Sequence, residues 1–225
     1  LVLGTAQFGL DYGIANISGM PTRQEVFGIL NLAWEQGIRR FDVAPGYNSE
    51  TLLGEFISTN GLRNEAIMLT KIPSLKDSSD CKQFIKKSLE LSLKNIDCPI
   101  EVMFFHDPAD SKLLLEDPEY LDKLMSDYPV SSFGVSVYMP HEVKDLSFSE
   151  LELAFQFPFN VLDKRFERVS MPEGKRYARS IFLQGLLASP NGLRQGAPKD
   201  LVNLQKLYHD IIDEYNLDPV GFALS

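Results

Sequence analysis

RRFDVAPGYNSE, residues 39–50, carries more of the fold than any other part of the chain. Phe41, Val43 and Ala44 form an apolar run of the kind a strand covered on both faces needs. Asp42 sits inside that run, and Pro45-Gly46 breaks the chain just before Tyr47. A carboxylate within a buried strand is costly unless it is paired and hydrogen-bonded, so Asp42 demands a partner from elsewhere. Upstream lies TRQEVFGILNLAWEQG, with Val26, Leu30 and Ala33/Trp34 at helical spacing. Thr22 and Glu25 are placed for a capping box, and Gly37 for the stop. Downstream, SETLLGEFIST reads as a second helix, so the strand lies between two helices.

The same alternation runs along the whole chain. Strand candidates are LVLGT (1–5), RRFDVA (39–44), AIMLTKI (66–72), EVMFFH (101–106), SFGVSV (132–137), LELAFQF (151–157) and RYARSIF (176–182). Further helix candidates are SSDCKQFIKKSLELSLKNI, a stretch around LLEDPEYLDKLMSDY that Pro118 interrupts or restarts, and DLVNLQKLYHDIIDEYN. Nearly continuous apolar strands separated by helices imply parallel pairing with crossover connections, an α/β fold. Seven such units favour a (β/α)8 TIM barrel lacking its last β/α unit over a doubly wound sheet, and no G-x-G-x-x-G follows any strand. The connection VLDKRFERVSMPEGK is too broken by Pro and Gly to be a helix. One barrel domain over residues 1–225, trimmed at its C-terminus, is expected.

Composition narrows the function classes. The chain is 225 residues long, 44% hydrophobic and 24% charged, which is ordinary for a globular domain. A formal net charge of −9 argues against nucleic acid and anionic membrane as partners, since both attract basic surfaces. Cys81 and Cys98 fall in no metal-type spacing and read as plain thiols of a reducing, cytoplasmic compartment. No stretch approaches the apolar length of a membrane span, and no metal site is expected.

In a barrel the chemistry sits at the C-terminal ends of the strands. Those ends supply Gly4, Thr5 and Gln7; Asp42 and then Tyr47; Lys71; His106 and Asp107; Ser136 and Tyr138; Gln156 and Asn160; and Arg179, Ser180 and Gln184. Asp42, Lys71 and His106 come from three successive strands and can converge at one mouth, with Tyr47 folding back over them. Taken singly, each has a bland reading as a capping, solvated or packing residue. His141 and His209 read as surface or capping groups.

At these residues the sequence resembles the aldo-keto reductases. The resemblance runs through LVLGTAQFGLDYG, GIRRFDVAPGYNSETLLGEF, the strand-end TK, FFHDP and GVSVY, with QFPFNVLDKR and RSIFLQGLL similar to a bacterial branch. It implies a (β/α)8 barrel that reduces a small-molecule carbonyl with NADP(H), and a catalytic tetrad of Asp42, Tyr47, Lys71 and His106. It also implies that Gly4, Thr5, Asp42, Ser136, Gln156, Arg179, Ser180 and Gln184 line the cofactor. Where the family often writes Tyr-Gly-Asn-Ser-Glu, this chain has Tyr47-Asn48, and after strand 5 it has Ser136-Val137 for Ser-Asn. The segment that grips the adenosine 2′-phosphate in the family has no counterpart in this chain, so NADP(H) rests on resemblance alone.

The residue types make chemical sense independently. Carbonyl reduction needs a hydride, which no side chain supplies, and a proton for the developing alkoxide. Tyr47 can donate that proton if Lys71 stabilises the phenolate, Asp42 can keep Lys71 charged, and His106 can polarise the carbonyl. Two other readings stay open: a Schiff-base aldolase or lyase using Lys71, and a non-catalytic barrel that binds NADP(H) for regulation.

Overall fold

The computed structural model describes residues 1–144, 146 and 152–225. Seven strands, β1 (Val2–Gly4), β2 (Arg40–Asp42), β3 (Ile67–Ile72), β4 (Ile100–Phe105), β5 (Val130–Ser136), β6 (Ala154–Pro158) and β7 (Arg176–Arg179), pair in sequence order in one sheet. Every pairing is parallel, with Gly4 opposite Asp42, Lys71 opposite Phe104 and Ser136 opposite Gln156. The order never reverses, so there is no switch point of the doubly wound kind.

Contacts across the sheet show how far it curls. In a flat sheet, β2 and β6 would lie about 19 Å apart, four strand spacings of ~4.8 Å. Yet Gln156 Nε2 donates to Asp42 Oδ2 at 3.0 Å. Phe104 on β4 and Tyr177 on β7 likewise meet edge to face, ring centroids 5.7 Å apart. The inner wall is filled by Leu69, Val102, Phe104 and Ala154 with Tyr177 against them, while a larger cluster joins the outer face to the helices. Both faces of the strands are therefore covered, which is why their sequence is nearly continuous in apolar residues.

The helices are α1 (Ala6–Gly9), α2 (Arg23–Glu35), α3 (Glu50–Asn60), α4 (Cys81–Ile96), α5 (Lys112–Glu116), α6 (Pro118–Asp127), α7 (His141–Lys144), α8 (Lys199–Glu214) and α9 (Pro219–Leu224). Thr22 and Glu25 form the expected capping box on α2, whose N-terminus is fixed by Thr22 N–H donating to Glu25 Oε2 at 2.7 Å. Pro118 restarts the helical stretch, separating α5 from α6. On β2, Phe41 is fully buried and stacks on Trp34 of α2, with planes 2° apart.

Several strands are shorter than their sequence patterns. β7 ends at Arg179 because Ser180 takes a left-handed conformation (φ +61°), and β1 ends before Thr5, which caps α1. β6 begins at Ala154; the start of its sequence candidate, Leu151, lies outside the described residues. The first and last strands leave one open side, and loops bridge it. Arg194 binds the Asn16 carbonyl and the Asp11 carboxylate, Arg194 N–H donates to Ile14 O (2.9 Å), and Ala15 N–H donates to Gln184 O (3.3 Å). A small second cluster of Leu186, Leu187, Tyr208, Ile212 and Ala223 lies under α8 and α9.

Charge closes the N-terminal end of the strands. Glu101 pairs with Arg40 (3.3 Å) and Lys175 (2.8 Å), and the cations hold its carboxyl below the ordinary value against the effect of burial. The opposite end stays open, and the polar strand-end residues gather there.

Candidate active site

Alternation along β2 and β3 puts Asp42 and Lys71 on the inner face at the C-terminal ends of neighbouring strands. Lys71 is 2% exposed, and its ammonium forms an ion pair with Asp42 Oδ1 and donates to Val43 O at 3.2 Å. The other carboxylate oxygen of Asp42 accepts from Gln156, whose Oε1 in turn accepts from Ser136 Oγ at 3.4 Å. Below them Thr5 donates from both its backbone N–H (3.1 Å) and its hydroxyl (2.8 Å) to the Asp42 carbonyl. The buried carboxylate seen in the sequence thus has its partner cation and further donors to hold its backbone.

Tyr47 reaches this pair through the bend expected at Pro45-Gly46. Pro45–Tyr47 forms a single 3-10 turn, and Asn48 follows in the left-handed region (φ +54°). Asparagine tolerates that conformation, so it does here what a glycine would do. The result sets the Lys71 ammonium 4.7 Å from the centroid of the Tyr47 ring. Gly9 of α1 lies against the turn; a methyl group there would overlap the Tyr47 carbonyl.

His106 follows β4, one residue beyond the partner of Ile72, with its N–H on Ile72 O at 3.2 Å. Burial first, then the positive charges of Lys71 and Arg179, push its imidazole below the ordinary histidine value. At neutral pH it is therefore a neutral ring able to donate one hydrogen bond. For Lys71 the balance runs the other way. Burial pulls its pKa down, but Asp42 and Tyr47 outweigh burial and hold it above the ordinary lysine value.

The remaining wall comes from β5 and β7. The Arg179 guanidinium lies over the Tyr138 ring at 4.1 Å and donates to Val137 O (3.2 Å) and Ser180 Oγ (3.4 Å). Its Nε is buried with no hydrogen-bond partner. Ser180, Leu183, Gln184 and Gly185 all have positive φ, so the loop after β7 is held in a conformation that side chains rarely take. Gly4 sits at the end of β1 opposite Asp42. Of the residues expected to line the cofactor, Gln184 has an exposed side chain, and its backbone carbonyl accepts from Ala15.

Three participants were not singled out in the sequence. Tyr12 lies within electrostatic reach of Tyr47, Arg179 and Tyr138; burial first, then Tyr47, pushes its phenol upward. Ser49 is fully buried and hydrogen-bonded to Thr5 Oγ1 at 2.7 Å. Glu50, the first residue of α3, is only 2% exposed. Its Oε1 accepts from Thr70 and from Ser92, each at 2.7 Å, and its Oε2 accepts from Asn95 at 3.2 Å. A helix-starting Glu is ordinarily read as solvated, and nothing local signals otherwise.

Among the described residues no group of three metal-type side chains could hold an ion, and no helix is long and apolar enough to cross a membrane.

Comparison with known proteins agrees with this fold. The model of the Aldo/keto reductase family matches residues 1–173. A D-threo-aldose 1-dehydrogenase from a Pseudomonas species is 26% identical over 237 residues, covering 86% of this chain and 71% of the relative. Among solved structures, a glycerol dehydrogenase from Gluconobacter oxydans superposes with a TM-score of 0.72 at 21% identity, covering 99% of this chain and 76% of the other. An aldo-keto reductase from Bacillus halodurans in its holo form gives 0.66 at 21% identity, covering 92% and 72%. At that identity the structural likeness is one of fold.

Proposed function

This chain belongs to the aldo/keto reductase family, and on that premise we propose that it reduces a small aldehyde or ketone to an alcohol using NADP(H). The observation that carries the reading is the buried Lys71 ammonium, paired with Asp42 and lying 4.7 Å from the Tyr47 ring centroid. The dehydrogenase relative acts, by its name, on an aldose, which favours a sugar-derived carbonyl as one substrate class.

The mouth suits a nicotinamide. Arg179 brings a buried, unpartnered Nε and a flat guanidinium, and Gln156 keeps a second amide hydrogen beyond the one given to Asp42. Ser136, Gln156, Arg179 and Ser180 would hold the cofactor, which supplies the hydride when bound.

The chain's own groups do the rest. Tyr47 hands its phenolic proton to the oxygen of the substrate carbonyl as negative charge grows there. The Lys71 ammonium stabilises the phenolate left behind, and Asp42 keeps that ammonium charged and seated. His106, neutral, donates a hydrogen bond to the same oxygen and fixes its orientation. The apolar wall of Leu69, Val102 and Phe104 below the site keeps water from that side.

Imine formation at Lys71 is the weaker reading, since it needs a free neutral amine. Here Asp42 and Tyr47 outweigh burial and favour the ammonium. The deciding experiment is NADPH oxidation with a panel of aldehydes, comparing wild type and Tyr47→Phe. The reductase reading expects kcat to fall roughly 100- to 10,000-fold with cofactor affinity retained. A non-catalytic nucleotide-binding barrel would bind NADPH, yet show no difference between the two proteins.

A further inference from the structure

Glu50 is a carboxylate buried among neutral donors, and the proposed proton transfer makes no direct use of it. Three donors converge on its two oxygens, an arrangement that an acceptor-only carboxylate satisfies without any partner turning. A glutamine there would put an amide nitrogen against one of those donors unless the Asn95 amide turned to accept it.

Its partners lie on two different elements. Thr70 belongs to β3 and is followed directly by Lys71, whose side chain points to the opposite face. Ser92 and Asn95 belong to α4. Glu50 itself opens α3, three residues after Tyr47, with the left-handed Asn48 and buried Ser49 between them. A single carboxylate therefore joins the segment that delivers Tyr47 to the strand that delivers Lys71.

We infer that Glu50 is a positioning residue: through Thr70 it sets how the Tyr47 ring sits over the Lys71 ammonium, while its bonds to Ser92 and Asn95 satisfy the buried carboxylate without setting that register. The kinetic consequence rests on the proposed reductase chemistry; the positioning does not.

Thr70 and Ser92 allow the test, because each gives one hydroxyl hydrogen bond to the same oxygen at the same 2.7 Å. Removing either costs similar stability, but only Thr70 links Glu50 to β3. Variants T70V, T70S, S92A, E50Q and E50Q/T70V are compared in the full chain labelled with carbon-13 at tyrosine Cζ. The Tyr47 signal is identified by its loss in Tyr47→Phe. T70V is expected to shift that signal and to lower kcat for benzaldehyde with NADPH roughly tenfold, with KM unchanged. T70S and S92A leave both at wild-type values, and the double variant falls no further than E50Q. Equal behaviour of T70V and S92A in the Tyr47 signal, or an additive double variant, overturns the inference. If the signal moves in T70V alone while wild type neither binds nor oxidises NADPH, the positioning stands and the reductase reading falls.

Discussion

Removing Asp42 leaves the Lys71 ammonium buried and uncompensated, so the pair's energetics can be tested from that side. Breaking a buried pair from one side costs about 3–5 kcal/mol. Asp42→Ala should therefore lower unfolding stability by that order in urea titration, while also freeing Gln156 and unseating Lys71. The pair also sets an alkaline limit. The folded-state pKa of Lys71 lies above the ordinary 10.5, so at high pH the native chain holds a proton that the unfolded chain releases. Its contribution is complete below the unfolded value and is lost as pH rises through the folded one. Lys71→Met should remove that component of the alkaline stability loss, read as a flatter dependence of the unfolding midpoint above pH 10.5. His106 acts in the acid range: burial, Lys71 and Arg179 disfavour its charged form, so stability falls as pH drops from the ordinary 6.5 through its lower folded value.

At the scale of elements, α1 and the 3-10 turn carrying Tyr47 are packed backbone against backbone, with Gly9 as the point of contact. Gly9→Ala must push the turn away. Activity should suffer far more than stability, because a shift of about 1 Å in a reacting group can cost ~100-fold in rate. The check is kcat against thermal midpoint for the same preparation, and a loss confined to the midpoint would refute it. The elements that place Asp42, Tyr47, Lys71 and His106 were legible in the sequence. Their apolar strands and capped helices imposed a parallel α/β order, and that order brings successive strand ends together. Glu50 and Ser49 were not legible, since their buried partners come from α4 and from Thr5 just after β1, distant in sequence, and local patterning cannot report them. The short β7 was missed for a similar reason. RYARSIF is apolar enough to continue, but Ser180 breaks it with a left-handed conformation that no local pattern announces. Tyr12 stands in a loop whose position depends on the bridge to the β7 loop.

For the whole molecule, the bridge over the open side is the contact that joins the two ends of the sheet. Arg194 is its centre, bound to Asp11 and to the Asn16 carbonyl. Both charged partners are partly exposed, so the ion pair itself contributes about 0–1 kcal/mol, with the carbonyl bond adding a similar amount. Arg194→Ala should lower the thermal midpoint by about 2–6 °C for a chain of this size and speed proteolysis within residues 183–197. An unchanged cleavage pattern would show that the loops are held by other means.

The bridge also has a place in time. Asp42 and Lys71 are 29 positions apart, whereas Arg194 and Asp11 are 183 apart. Closing the longer loop costs more chain entropy, and it brings no reward until the intervening strands have paired. The ion pair beneath Tyr47 is thus available to an early nucleus of β2, β3 and α3, while the wall formed by the β1 and β7 loops is completed last. A chain emerging during synthesis would bring Asp42, Tyr47 and Lys71 together first. The rim that encloses them would wait for the last third of the sequence, so the ion pair and the wall around it are expected to form as separate events.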